Sequence, residues 1–448
     1  MCGIYAIFSN QCNNTNVSEL LSGMKKLQHR GKDGFGISTV HSSKNLIQYK
    51  SEGLINKETT FLIKNIKSYS CLGHIRYATS GNSIKNGKIN ENEIQPLFGS
   101  FNNFSYFLAH NGNVPNIEGH DTTFLNQTIM KNNKKSLQDV LISLLDTIPA
   151  AYNLVILTSD SIYIVRDRFG IRPLCIGNKK DNFYISSESC ALPEDSYMRD
   201  IKPGEIVKID KGGLTTVYQH HSTILGLCSF EILYFLNENS FVDGFYIKNI
   251  RKNLGRILAF REYLLMDGDN YIVIGIPETG ILYGVSYAKE MDFKYRQLIT
   301  KNEHITRTFT GINNQERKNL CEKKFVYDQS KICGKKIVIV DDSIVRGNVI
   351  KSIISKLRKY NALEIHVRIP APPVVDICEL GISIQSKKEL IMNNKTVMEV
   401  CCEINADSLS YLQQKDFFLF PKKSYNQCFT GFIEPEIKEW NNKKIISR

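Results

Sequence analysis

The sequence predicts two successive domains of different class: an α+β layered domain, then an α/β domain built on a parallel sheet. Three observations predict it. The chain has 448 residues, room for roughly two or three domains. Its first half is a series of short apolar or alternating runs bounded by turn residues, as antiparallel strands require. Its second half carries continuous apolar runs alternating with helical periods, as a parallel sheet covered on both faces requires.

The elements follow in order. YAIFS at Tyr5, CLGHIRY from Cys71, YFLAH from Tyr106, LVILTS from Leu154, IYIVRD from Ile162 and FYISSES from Phe183 read as strands. A helix is expected from Ser18 to His29, capped by Ser18, with Leu20, Leu21, Met24 and Leu27 on one face. The boundary falls near 218–227, dividing the chain into 1–225 and 226–448. Beyond it YIVIGIP from Tyr271 and KKIVIVDD from Lys335 read as buried parallel strands. A helix from Asn348 to Tyr360 turns Ile350, Ile353, Ile354 and Leu357 inward. The Lys-, Asn- and Glu-rich segment from Arg307 to Cys333 lacks a period and is expected to be a functional loop.

Composition narrows the function. There are 57 Lys+Arg against 45 Asp+Glu, a net charge of +12 spread along the chain. That suits an anionic substrate or a merely Lys- and Asn-rich chain. No basic block with interleaved aromatics appears, so nucleic acid is not an expected partner. Twelve Cys in so long a chain without an apolar leader predict reduced thiols and a cytoplasmic protein. No run of 18 apolar residues predicts a membrane span.

Cys2 is the first chemical signal. Once Met1 is trimmed, thiol and α-amine form a nucleophile and base in one residue, the amine having an ordinary pKa of ~7.7–8.0. Alone this is weak. Three further groups supply what amide hydrolysis needs: Arg30 and Arg76 at the ends of apolar runs, and Asn111-Gly112 at another. An Arg holds a substrate carboxylate in a bidentate pair. An Asn amide with a Gly N–H makes an oxyanion hole. Asp121 lies at a suitable interval to receive a substrate ammonium.

MCGIYAIF, LQHRGKDGFGIS, GHIRYATSG, LAHNGNV and RDRFGIRPL resemble, in order, the glutamine amidotransferases with an N-terminal nucleophile. The resemblance implies an αββα sandwich, Cys2 as nucleophile through a glutamyl thioester, and Asn111 and Gly112 at the oxyanion. It implies Arg30, Arg76 and Asp121 for glutamine binding. One departure sits beside Asp121: His120 precedes it and Thr122-Thr123-Phe124 follows, where the family has Ser or Thr before and Glu shortly after.

In the second half Val338-Ile339-Val340 runs into Asp341-Asp342-Ser343-Ile344-Val345-Arg346-Gly347, and Asn348 opens a helix. Strand, Gly-containing loop and helix N-terminus form an anion site. Adjacent carboxylates suit a ligand with phosphate and cis-hydroxyls, and recruit Mg²⁺ through water. VDDSIVRG resembles the phosphoribosyl-pyrophosphate loop of the phosphoribosyltransferases. With IGIPETG before it, the lid-like KNEHITRTF, FYIKNIRKNLGRILA and INADSLSYL, the whole chain resembles the amidophosphoribosyltransferase family. That resemblance implies a pentosyltransferase of de novo purine synthesis using glutamine and phosphoribosyl pyrophosphate. It implies Glu278, Thr279, Lys301, Arg307, Asp341, Asp342, Ser343, Arg346 and Gly347 at that ligand, with Mg²⁺ at Asp341 and Asp342. It also implies purine nucleotides as inhibitors and a homodimer or homotetramer.

Departures from the family are plain. Asn348-Val349 stand where the family has Thr-Thr, and Glu303, His304 and Thr306 replace Arg, Tyr and Gly of the lid. Some members hold a 4Fe–4S cluster on four Cys. Cys228, Cys378 and Cys428 match three of those positions and Tyr425 stands at the fourth, so a cluster and a packed thiol pocket are both open. Two other functions stay in view: a degenerate, non-catalytic nucleotide- or phosphoribosyl-binding regulator, and another amidotransferase with an N-terminal cysteine.

Overall fold

Alternation in the first half folds into two antiparallel sheets laid face to face. In this computed structural model the described residues are 1–443 apart from 42, 44, 64, 78–83, 86–87, 103, 133, 222–224, 263–270, 303–323, 381–383, 385 and 418–423. The first sheet has seven strands in the order Tyr197–Asp200, Cys175–Lys179, Asn182–Ser186, Gly3–Ser9, Cys71–Arg76, Gly34–Val40, Leu46–Glu52. The second has six: Gly213–Gln219, Glu205–Asp210, Ile162–Arg166, Ala151–Leu157, Phe104–Asn113, Leu97–Phe101. Ile4, Ala6, Phe8 and Leu72 of the first meet Phe107, Ala109, Val155 and Leu157 of the second.

Because side chains alternate along a strand, Gly3–Ser9 sends Tyr5 and Ile7 to its other face. There Leu20, Leu21 and Met24 of the helix Thr15–Lys26 cover them. The outer face of the second sheet carries the helices Asp121–Lys131 and Leu137–Thr147, whose Leu125, Ile129, Leu141 and Leu144 pack with Tyr106, Leu154 and Ile156. The result is the αββα sandwich.

The first helix starts earlier than expected. Asn13 Oδ1 accepts the N–H groups of Thr15 and Asn16, both at 3.0 Å, so the cap lies ahead of Ser18, which sits inside the helix. The helix stops at Lys26, and Gln28–Arg30 forms a separate 3₁₀ turn.

The second half is a five-stranded parallel sheet in the order Lys294–Tyr295, Tyr271–Gly275, Lys336–Val340, Glu364–Ile369, Ser408–Tyr411. Helices Ile247–Phe260, Gly280–Met291 and Asn348–Lys359 accompany it. Asn348–Lys359 buries the four predicted residues, Ile350, Ile353, Ile354 and Leu357. The aperiodic segment is not all loop: Phe325–Tyr327 pairs antiparallel with Ile299–Lys301. Its part within 303–323 lies outside the described residues.

The halves are knitted together. The N–H of Cys228 donates to Ile171 O at 3.1 Å, and Leu227–Cys228 pairs in parallel with Ser424–Tyr425. One apolar core runs from Leu154 and Ile156 of the second sheet to Val338 and Val367 of the third. No helix among the described residues is long and apolar enough to cross a membrane.

Candidate active sites

Cys2 precedes the central strand of the first sheet. Its Sγ lies 3.8 Å from Tyr77 O, and Arg30 Nε donates to its carbonyl at 2.8 Å. Met1 ahead of it is enclosed, at 5% exposure. Burial lowers the Met1 amine to about 5, and Arg30 and Arg172 push the same way against Cys2 and Glu231. Burial thus favours the neutral amine there.

Opposite, His74 Nε2 lies 3.2 Å from the carbonyl of His110, tying Cys71–Arg76 to Phe104–Asn113 across the sandwich. Just past His110, the Asn111 side-chain amide is buried and its Nδ2 has no hydrogen-bond partner among the described residues. Gly112 follows where any Cβ would lie 2.0 Å from Ala151 O, so only Gly allows this close strand approach. An unpartnered buried donor costs about 1–3 kcal/mol, and a developing oxyanion is the group that would satisfy it.

Asp121 opens its helix. Its Oδ1 accepts Thr122 N–H at 2.8 Å and its Oδ2 accepts Val114 N–H at 3.4 Å. A buried relay that sequence reasoning missed links Gln95, His110 and Thr122, the last two being the chain neighbours of Asn111 and Asp121. Gln95 Oε1 accepts His110 N–H at 2.6 Å, its Nε2 donates to Thr122 Oγ1 at 2.9 Å, and Thr122 Oγ1 lies 3.0 Å from His110 Nδ1. Burial lowers the His110 pKa, so the ring is neutral, although Asp121 opposes that shift.

The two arginines expected at glutamine hold protein groups in this structure. Arg30 is fully enclosed. Its guanidinium bonds Glu188 at 2.5 Å, Glu231 at 3.0 Å and the Cys2 carbonyl, so its donors hold protein groups. Arg76 donates to both the carboxylate and the backbone carbonyl of Glu93. A protein carboxylate therefore already occupies the Arg76 fork.

The second site lies beyond the carboxyl ends of Tyr271–Gly275 and Lys336–Val340, where open parallel sheets place ligands. The two loops touch. Ile276 N–H donates to Val340 O at 2.9 Å, and a Cβ on Gly280 would lie 2.5 Å from that oxygen. Ser343 Oγ donates to Asp342 at 2.5 Å, and Thr279 bonds the same carboxylate. Burial raises Asp342 to about 6 against the pull of Ser343, Arg251 and Thr279. Burial and then Asp342 raise Asp341 well above its ordinary value.

Gly347 has φ +75° and opens the helix Asn348–Lys359, and a Cβ there would lie 2.3 Å from Ile391 Cδ1. Asn348 is exposed, and Val349 is half-buried against the core. The cations are partly engaged: Arg346 pairs with Glu389 at 2.5 Å and Lys301 with Glu278 at 2.8 Å. Arg307, Glu303, His304 and Thr306 lie outside the described residues.

The Asp341–Asp342 pair fits Mg²⁺. Two carboxylates forced together in a buried loop favour a bound cation, and Mg²⁺ takes its other ligands from water and phosphate. The cysteine trio does not fit a cluster. Cys228 and Cys428 are 2% exposed and Cys378 9%, with Tyr425 paired to Cys228 across the two-stranded ladder. Tyr425 Oη donates to Gln427. Burial pushes the Cys228 thiol up to about 12 and Cys428 well above its ordinary value, which favours neutral thiols over thiolates. Among the described residues no three His, Cys, Asp or Glu are grouped to hold a metal.

Comparison with known proteins finds two matching families. Residues 83–194 match the family described as a glutamine amidotransferase domain, and residues 246–371 the family described as a phosphoribosyl transferase domain. The chain is 34% identical to the amidophosphoribosyltransferase of Methanocaldococcus jannaschii over 100% of both chains. It is 32% identical to that of Bacillus subtilis over 97% of this chain and 94% of that one. It is similar to the solved structure of the Bacillus subtilis glutamine phosphoribosylpyrophosphate amidotransferase complexed with ADP and GMP. That match has a TM-score of 0.84 at 30% identity and covers 96% of this chain and 97% of that one.

Proposed function

This chain belongs to the amidophosphoribosyltransferase family, and from that premise we propose how its residues divide the work. It is a pentosyltransferase that converts glutamine, phosphoribosyl pyrophosphate and water to 5-phosphoribosylamine, glutamate and pyrophosphate, in purine synthesis. In our reading the Cys2 thiol attacks the side-chain carbonyl of glutamine, and the neutral α-amine exposed by loss of Met1 takes the thiol proton. The tetrahedral oxyanion lies against Asn111 Nδ2 and Gly112. Its collapse passes that proton to the leaving ammonia and leaves a thioester, which water hydrolyses to glutamate. Arg76, released from Glu93, binds the substrate carboxylate and Asp121 its ammonium. The observation that carries this reading is the buried, unpartnered amide of Asn111.

Ammonia then attacks C1 of the phosphoribosyl group and displaces pyrophosphate. Asp341 and Asp342 orient the ribose hydroxyls and would hold Mg²⁺, which when bound offsets charge on the leaving pyrophosphate. Thr279, Ser343 and Gly347 shape the loops around it, and Glu278, Lys301, Arg346 and, outside the described residues, Arg307 complete the set we assign to that ligand. The division at 225/226, purine nucleotides as inhibitors, a homodimer or homotetramer and a cytoplasmic location belong to the same reading. Cys2→Ala tests it. Glutamine-dependent synthesis is expected to vanish while ammonia-dependent synthesis persists; equal loss of both refutes two separate sites. The persistence of ammonia-dependent synthesis also separates this enzyme from a non-catalytic regulator.

A further inference from the structure

The two sites share a buttress. Glu231–Phe235 is a five-residue helical turn just past the domain boundary. Its Glu231 side chain points into the first half, where it is completely buried and bridges Arg30 at 3.0 Å and Arg172 at 3.3 Å. Arg30 in turn holds the Cys2 carbonyl at 2.8 Å. The carbonyls of the same turn point into the second half. Ile232 O accepts Arg251 Nε at 2.9 Å, Leu236 O accepts Arg251 Nη2 at 2.6 Å, and Leu233 O accepts Tyr283 Oη at 3.0 Å. Tyr283 sits one turn into Gly280–Met291, the helix that starts at the pyrophosphate-side loop and touches Asp341 through Gly280. Arg251 lies on Ile247–Phe260, whose Gly255 packs so closely on Gly280–Met291 that a Cβ there would lie 2.5 Å from Tyr283 O.

We propose that Glu231–Phe235 is the positioning element through which the phosphoribosyl site sets the nucleophile, with Arg30 as its arm to Cys2 and Tyr283 and Arg251 as its arms to the ligand loops. The proposal rests on Cys2 being the nucleophile. The bonds of the turn to Arg30, Arg172, Arg251 and Tyr283 join buried groups and that of Arg30 to Cys2 is part-buried, so a shift of the ligand loops is carried rather than dissipated in water. Misplacing a reacting group by 1 Å is enough to cost about 10²-fold in rate. None of these side chains touches substrate; each acts through the next.

The test measures glutamate release with and without phosphoribosyl pyrophosphate and Mg²⁺, and ammonia-dependent synthesis alongside. Glu231→Asp keeps the charge but shortens the reach. It is expected to lower glutamine-dependent kcat about tenfold or more, with the glutamine KM and ammonia-dependent synthesis little changed. Tyr283→Phe and Arg251→Lys are expected to leave unstimulated glutamate release intact and to reduce its stimulation by the ligand about fivefold or more. If Arg251→Lys does not fold, Tyr283→Phe decides. Full stimulation in these variants, or none in the parent chain, overturns the proposal. Cys2→Ala is run beside them. Glutamate release surviving in it defeats the nucleophile reading; release abolished in it, with stimulation intact in Tyr283→Phe, defeats only the coupling.

Discussion

Glu93 is the residue with the most direct prediction. Its carboxylate sits on Arg76, in the place our proposal gives to the substrate carboxylate. Replacing it by an uncharged isostere, Glu93→Gln, removes the competitor and is expected to lower the glutamine KM. A bond to a charged group is worth about 1.5–3 kcal/mol, and each ~1.4 kcal/mol is a decade of affinity, so the expected drop is about 10- to 100-fold. Steady-state glutamate release gives the answer; a KM that rises instead makes Glu93 part of the glutamine site. At this scale the sequence was legible where chemistry is local. Cys2, Asn111 and the Asp341–Asp342 pair announce themselves by residue type beside turn residues. Glu93, Gln95 and Thr122 do not, because an ordinary acid, amide and hydroxyl acquire their roles only when two strands and a helix converge. The partners of Arg30 were illegible for the same reason: a fork that suits a substrate carboxylate suits Glu188 and Glu231 equally.

Among the elements, the loop Asp341–Gly347 and its helix carry the second prediction. Gly347 adopts a left-handed φ and abuts Ile391. Gly347→Ala adds the left-handed cost of about 1–2 kcal/mol and a clash of about 1–3 kcal/mol. The KM for phosphoribosyl pyrophosphate is expected to rise by up to about 30- to 4,000-fold at ~1.4 kcal/mol per decade. Adding Ile391→Ala should recover part of it by removing the clash; no recovery would place the defect in the backbone alone. Continuous apolar strands and the 3.6-residue period made this region readable, and Asn348–Lys359 lies where its periodicity put it. The first helix shifted because Asn13, four residues ahead of Val17, captures two N–H groups that Ser18 does not. Capping competition among Asn, Ser and Thr is decided by the approach of the chain, which periodicity does not encode.

For the whole molecule, the buried lattice of Arg30, Arg172, Glu188 and Glu231 dominates. Burial alone would raise the Glu188 carboxyl. Arg30 above all, then His29 and Ser240, hold it well below the ordinary carboxylate range. A depressed acid contributes stability that is present above its unfolded pKa, near ~4.3, and is lost as pH falls toward its folded value. The melting temperature is therefore expected to drop as pH falls below about 4.5. Glu188→Gln should lose about 3–5 kcal/mol at neutral pH, as breaking a buried pair does, and should flatten that acid limb. Melting followed from pH 7 to pH 3 distinguishes this from a surface effect, in which both chains would lose stability in parallel. The lattice also bears on how far the molecule is divisible. Composition and pattern place a seam at 225/226, yet Glu231, the Asn237 N–H, the Ser240 hydroxyl and the Leu380 carbonyl, which neutralise or cap the lattice, all lie beyond it. A fragment ending at residue 225 would keep two enclosed arginines with one carboxylate between them. Expressed alone it should precipitate or fail to present Cys2 to an alkylating glutamine analogue, whereas a fragment ending at residue 242 regains Glu231, Asn237 and Ser240. The glutaminase is thus not a detachable module: its last indispensable residues are encoded inside its neighbour, and a gene split at the visible seam would yield neither part intact.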